Sequence, residues 1–234
     1  MIIGMSSSFR RLIVGAFFCS LLLPVLGGCH YRGDSGLVAA PDGKVRFDRI
    51  AVVPFQQILP EDAADDVVHC PLCGTIIHAQ RSSGNPEQVM ERLFLAQLDR
   101  QKPKAAFMSG EKVAGVFQRV SASSLKMPLR QVLSEVGREL EAEGVVVGYV
   151  YRFRERKGVA YTVEQPASVT FDLHLLRVSD GALVWRGHFD KTQSSLMEDV
   201  FQLGAFFREK GRWVTAEELM DEGIEAVLET FPGL

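Results

Sequence analysis

The chain has 234 residues, 26 basic against 29 acidic side chains for a net charge of −3, 47% hydrophobic residues and four cysteines. That length can bury one sizeable core. The mildly acidic balance, with no basic stripe, excludes a nucleic-acid binder, and there is no internal repeat or long low-complexity tract.

Arg10 and Arg11 precede an uncharged apolar run from Leu12 to Leu26, which stops at Leu26-Gly27-Gly28-Cys29. A basic n-region, an apolar h-region of about 7–15 residues and small residues at the cleavage point define a secretory signal. The residues resemble a bacterial lipoprotein signal peptide, which implies cleavage after Gly28 and a lipidated, palmitate-bearing Cys29 as first mature residue. An uncleaved membrane anchor is the alternative, but it needs about 20 apolar residues, usually with a basic flank. His30 stands where an aspartate would mark inner-membrane retention, so the resemblance implies the periplasmic face of the outer membrane. Arg10 and Arg11 leave with residues 1–28 and no acid does, so 206 residues remain with 24 basic and 29 acidic side chains, a net of −5.

Residues 29–46, rich in Gly, Asp, Ala and Pro, read as a flexible tether, and 47–234 as a single domain. Phe47 to Phe55 is a strand with a continuous apolar centre, and Pro54 fits only near its end. Gln56 to Gly84 shows no periodicity, and loops that long are uncommon inside compact domains. Asn85 and Pro86 start a helix that runs to about Arg100. Ala105 to Met108 reads as a short strand and Glu111 to Ser121 as a helix. Leu129, Val132, Leu133, Val136 and Leu140 recur at helical spacing, and a strong strand runs from Val145 to Glu155. Ser168–Arg177 and Leu183–Thr192 form a hairpin. Phe171 is expected opposite Phe189 and Leu175 opposite Trp185 on one face, with Asp172 opposite His188 and His174 opposite Arg186 on the other. The loop expected for that register is Ser179-Asp180-Gly181, with Gly181 at positive φ. Thr215 and Glu218 form a capping box for the last helix. The order predicts an α/β (α+β) fold: a mixed sheet of four to five strands packed by three to four helices.

The segments Ile50-Ala51-Val52-Val53-Pro54-Phe55, Gly144-Val145-Val146-Val147-Gly148-Tyr149-Val150 and Asp180-Gly181-Ala182-Leu183-Val184-Trp185 resemble envelope proteins of three kinds. These are the TolB N-terminal domain, the curli-secretion lipoprotein CsgG, and the lipoprotein activators of penicillin-binding proteins. The likeness covers residues 46–192 in organisation and rests on strand and turn signatures. It implies a non-enzymatic, partner-binding role in the envelope and supplies no catalytic residues.

Cys70-Pro71-Leu72-Cys73-Gly74 has the form of one knuckle of a rubredoxin or zinc-ribbon site. A structural zinc site needs four ligands, and no second CxxC is present. His69 and His78 are the candidates to complete it within one chain, or two chains could each contribute a knuckle. A Cys70–Cys73 disulfide is the competing reading in an oxidising compartment, and a redox-active thiol pair is the third. Zinc is the only cofactor the sequence suggests. Asp172, His174 and His188 carry no adjacent nucleophile and read as cross-strand pairs on a partly solvated face. Glu61, Asp62, Asp65 and Asp66 read as a solvated loop. Phe201, Phe206, Phe207 and Trp213, interrupted by charged residues, form the candidate partner surface.

The functional expectation is a lipid-anchored, non-enzymatic module that binds an envelope partner, with self-association also open. The alternative is a metal-binding or redox module acting through Cys70 and Cys73. A hydrolase is the weakest reading, because no nucleophile elbow, phosphate loop or catalytic carboxylate pair is present.

Overall fold

The computed structural model describes residues 34–36, 46–60, 66–82, 84–101, 103, 105–124, 126–159, 162–193 and 214–232. The chain divides into the units Met1–Tyr31 and Arg32–Leu234, and all described residues belong to the second. The signal segment, Cys29 and the aromatic stretch with Phe201, Phe206, Phe207 and Trp213 lie outside them.

A seven-stranded mixed sheet has the order β1-β11-β10-β7-β2-β6, with β3 also paired to β7. Its strands are β1 (Asp34–Gly36), β2 (Arg49–Val52), β3 (Gln56–Gln57), β6 (Ala106–Met108), β7 (Gly144–Arg154), β10 (Ser168–Arg177) and β11 (Leu183–Thr192). Five of these match the expected strands. β1 and β3 are additions, one inside the segment read as a tether and one at the start of the long loop. β2 runs parallel to β6 and β7, whereas β10 is antiparallel to both β7 and β11. Pro54 has no N–H for the ladder. Pairing therefore breaks there, Val52 opposing Val146 and Gln56 opposing Tyr149, so the chain gains one residue on β7 across the proline.

Alternation along the strands gives the sheet two differently packed faces. On one, Val146, Val150, Phe171, Leu173, Leu175, Trp185 and Phe189 form a core with helices α1 (Pro86–Gln101) and α4 (Ala216–Leu228). Met90, Leu93, Phe94 and Leu98 bury one stripe of α1. In α4 the Thr215–Glu218 capping box is complete in both directions, and Leu219, Met220, Ile224, Val227 and Leu228 are buried. Gly148 lets β7 approach this layer: a β-carbon there would stand 2.6 Å from the Phe55 ring.

On the other face Val145, Val147, Tyr149 and Tyr151 pack beneath Val132, Leu133 and Val136 of α3 (Leu129–Glu139), with α2 (Glu111–Ser123) beside it. The segment read as an aperiodic loop supplies the rest of that cover. It folds into a hairpin of β4 (Val67–His69) and β5 (Ile76–His78), whose Val68, Cys70, Leu72, Ile77 and Ala79 join the second core. Three-residue strands are too short for a periodicity to register, which is why the sequence pattern missed them. A further hairpin, β8 (Lys157–Val159) and β9 (Thr162–Gln165), follows β7.

All four expected cross-strand pairs of the β10–β11 hairpin are present: Phe171–Phe189, Asp172–His188, His174–Arg186 and Leu175–Trp185. The turn differs from the expectation. A bulge moves the register to Leu176–Leu183, Arg177 N–H bonds to the Ala182 carbonyl at 2.8 Å, and the loop is therefore one residue longer. Val184, the extra residue, is fully buried alongside Trp185 in the first core. Gly181 has the positive φ that was expected, at 70°.

Candidate metal centre

Cys70 and Cys73 sit in the turn of the β4–β5 hairpin. Cys70 N–H donates to the Thr75 carbonyl at 2.9 Å and Gly74 N–H to the Cys70 carbonyl at 2.9 Å. Gly74 adopts φ of 72°, which glycine tolerates without a β-carbon penalty, and Pro71 asks for no hydrogen-bond partner. The turn is clamped from α3, where the Arg130 guanidinium donates to the Leu72 carbonyl at 2.8 Å. Gln80 N–H bonds to the Tyr151 carbonyl at 2.8 Å, fixing the hairpin's exit to β7.

These bonds lower both sulfurs onto the middle of the sheet. Asp172 and His174 lie two residues apart on β10 and so share a face. Cys70, Cys73, Asp172 and His174 present donor atoms that all fall within 4.8 Å of one another. Cys70 Sγ stands 3.6 Å from His174 Nε2. Zn–S of about 2.3 Å and Zn–N of about 2.05 Å at the tetrahedral angle would separate sulfur and nitrogen by about 3.6 Å, so this edge fits a zinc tetrahedron. Two thiols and an imidazole are the donor set that zinc favours. Both cysteines are free thiols here, Cys70 buried and Cys73 half-buried.

The expected ligands His69 and His78 are not part of the group. Both are exposed because strand alternation turns them away from Val68 and Ile77, which are buried. His69 Nδ1 lies 3.4 Å from the Gly74 carbonyl, and His78 Nδ1 lies 3.2 Å from Asp66. His174, a hundred residues away, takes the place expected of them. Asp172 and His174 were assigned to a partly solvated face, but both are fully buried. The available signal was two ionisable residues two apart on a strand whose central position leaves neither face open.

Burial opposes the charged forms, and hydrogen bonding outweighs it. For Cys73, desolvation is overcome by hydrogen bonds with His174, Thr75 and Cys70, which lower the thiol from 9.0 to about 6. Thr75 Oγ1 lies 3.2 Å from its sulfur. For His174, desolvation is likewise overcome by Cys70 and Cys73, with Asp172 adding its charge, and the imidazole rises from 6.5 to about 9. Both shifts favour a thiolate–imidazolium pair in the ion-free site. Burial, with the Cys70 and Asp172 charges beside it, pushes the Tyr151 phenol far above its ordinary value.

Asp172 differs from the other three donors because its oxygens are already occupied. It accepts from Tyr151 Oη at 3.2 Å and from Arg186 at 3.0 and 3.3 Å, and stands 2.7 Å from His188 Nδ1. Burial opposes its charge, but the His188 hydrogen bond and the charges of His174, Arg186 and His188 hold the carboxyl below its ordinary value. Tyr151 reaches it through a bulge. Val150 pairs with Phe171 and Arg152 with Thr170, which leaves Tyr151 as the extra residue of β7, a feature that re-aims a side chain. His174 Nδ1 has no hydrogen-bond partner among the described residues.

The chain matches no family model and no curated protein. It is similar to several solved structures. PelC of Paraburkholderia phytofirmans, solved as a dodecamer, is 17% identical over 84% of this chain and 94% of that one, with a TM-score of 0.47. Lipoprotein GNA1162 of Neisseria meningitidis is 14% identical over 70% of this chain and 97% of that one, TM-score 0.39. The LpoB C-terminal domain of Salmonella enterica is 13% identical over 64% and 86%, TM-score 0.35. At these identities each is a likeness of chain path and brings no site residue with it.

Proposed function

We propose that this chain is a lipid-anchored, non-enzymatic module of the bacterial envelope, in which a zinc ion held by Cys70, Cys73 and His174 staples the β4–β5 hairpin to the sheet. The observation that carries the reading is the convergence of two thiols, an imidazole and a carboxylate within 4.8 Å, drawn from elements a hundred residues apart. Cys70, Asp172 and His174 are buried, and a closed, buried donor set suits a structural ion better than one that must meet substrate. Asp172 supplies an oxygen as the fourth ligand or, through Tyr151, orients the neighbouring ligand. The anchor reading rests on Leu26-Gly27-Gly28-Cys29, and the outer-membrane location on His30. Ile76, 64% exposed on the hairpin, supports a partner-binding role for the stapled element.

The test is native mass spectrometry of the full-length chain, purified in detergent without chelator or reductant. One zinc per chain is the expected result. His174→Ala loses the ion, and the His69→Ala and His78→Ala variants keep it. A metal-free wild-type chain that still takes up no zinc after full reduction overturns the reading.

A further inference from the structure

The hairpin and β10 are joined at this site by side chains alone. Its other anchors lead elsewhere, Arg130 reaching the Leu72 carbonyl from α3 and Gln80 N–H reaching Tyr151 on β7. Its polar contacts with β10 among the described residues are those of the two sulfurs with His174, Cys70 Sγ approaching Nε2 at 3.6 Å and Cys73 hydrogen-bonding the same imidazole. The two sulfurs that would hold a metal are also close enough to bond to each other. They flank an α-turn closed by the Gly74 N–H to Cys70 carbonyl bond of 2.9 Å, and their Sγ atoms lie within 4.8 Å of each other, a gap that side-chain rotation can close to a disulfide. A sulfur committed to a disulfide no longer offers the thiolate a metal requires.

We infer that the site is a redox-gated cross-link. With metal bound it ties the hairpin to β10, and oxidation to a Cys70–Cys73 disulfide expels the metal and unties it. The inference rests on the metal reading above and adds its regulation. Burial sets the order of events. Cys70 is 2% exposed beneath the turn, whereas Cys73 is half-buried at its rim, so an incoming oxidant meets Cys73 first. The oxidant is a disulfide, of the kind an oxidising compartment maintains. The Cys73 thiolate attacks one sulfur of it, forming a mixed disulfide and releasing one thiolate. The Cys70 thiolate then attacks Cys73 Sγ, forming the Cys70–Cys73 bond and releasing the second thiolate. Two electrons pass from the protein thiolates to the oxidant, the two released thiolates take up protons according to their own acidity, and the metal leaves as its hydrated divalent ion with its charge unchanged. A dithiol reverses the sequence. His174 is left facing a disulfide, which ligates zinc poorly, and the hairpin keeps only its α3, β7 and apolar contacts.

The experiment loads the full-length, detergent-solubilised chain with Zn²⁺, titrates it with oxidised glutathione, and follows free zinc, free thiols and mass together. The expected result is one zinc released per two thiols lost. In Cys70→Ser a glutathione adduct accumulates on Cys73, and in Cys73→Ser no adduct forms. Hydrogen exchange of the oxidised wild-type chain rises over residues 67–79 and stays unchanged over α3. Zinc held with both thiols reduced, at glutathione levels that oxidise a free dithiol peptide, overturns the inference and leaves the metal reading standing. Adduct formation at Cys70 before Cys73 overturns the order. A chain that takes up no zinc before any oxidant is added fails at the earlier step and removes both.

Discussion

At the scale of single residues, the chemistry of the site turns on the protons its ligands must give up. Zinc requires a neutral His174 and a thiolate at Cys73. Cys73, lowered to about 6, is already ionised near neutrality, whereas His174, raised to about 9, still holds its proton. Binding near pH 7 therefore displaces the His174 proton, and apparent zinc affinity climbs as pH rises toward 9. Calorimetry in buffers of different ionisation enthalpy, repeated over a pH series, checks both the proton count and the slope. A pH-independent affinity between 7 and 9 would contradict the assignment of His174. The metal-free chain responds in a different sense. A raised imidazole stabilises the fold fully below its ordinary 6.5 and loses that contribution as pH rises through about 9. A lowered thiol stabilises it fully above 9.0 and loses that contribution as pH falls through about 6. The pair is intact only between those limits, so metal-free melting temperature is expected to be highest within that window. Cys29 carries a separate prediction: Cys29→Ser abolishes metabolic labelling with palmitate, and retained label in that variant would remove the anchor reading.

At the scale of elements, two substitutions test how the layers were assembled. Gly148→Ala on β7 drives a β-carbon to within 2.6 Å of the Phe55 ring. Overpacking of this kind costs about 1–3 kcal/mol, and a fold of this size loses about 2–4 °C of melting temperature per kcal/mol. An unchanged melt would mean that Phe55 has room to move. Thr215→Ala removes the side chain that accepts from Glu218 N–H at 3.1 Å at the start of α4. A lost cap costs about 1 kcal/mol, and α4 covers the first core rather than the metal site, so zinc binding should be unaltered while thermal stability falls. A loss of zinc in this variant would show that the two faces of the sheet are coupled.

At the scale of the whole molecule, the proposed metal would be a long-range tie. Cys70 and His174 are separated by 104 residues. Treated as a covalent cross-link in the chain-entropy model, a loop of that size contributes about 4–5 kcal/mol, against about 2 kcal/mol for the four-residue loop of a Cys70–Cys73 disulfide. The zinc form should therefore be more stable than the disulfide form by roughly 3 kcal/mol, or about 6–12 °C in melting temperature. Scanning calorimetry of the two purified forms measures this directly. A disulfide form that melts as high as the zinc form would mean that the ion holds nothing the apolar contacts do not already hold.

Sequence alone determined whatever is written in local periodicity. The strong strands, the stripes of α3 and α4, the capping box and the cross-strand partners of β10 and β11 follow from repeats of 2 or 3.6 residues and from turn chemistry. The Cys-Pro-Leu-Cys-Gly turn was legible for the same reason, since its geometry is set within six residues. The partner of that turn was not. His69 and His78 were the nearest imidazoles in sequence, but strand alternation sends both to solvent, and only the stacking of the hairpin on β7 and β10 brings His174 beneath the sulfurs. Whether Asp172 and His174 meet water or protein depends on what lies over the sheet. Three-residue strands supplied that cover, and elements so short leave no periodic trace. Donor atoms separated by a hundred residues are joined by packing, and packing is decided only when the whole chain is folded.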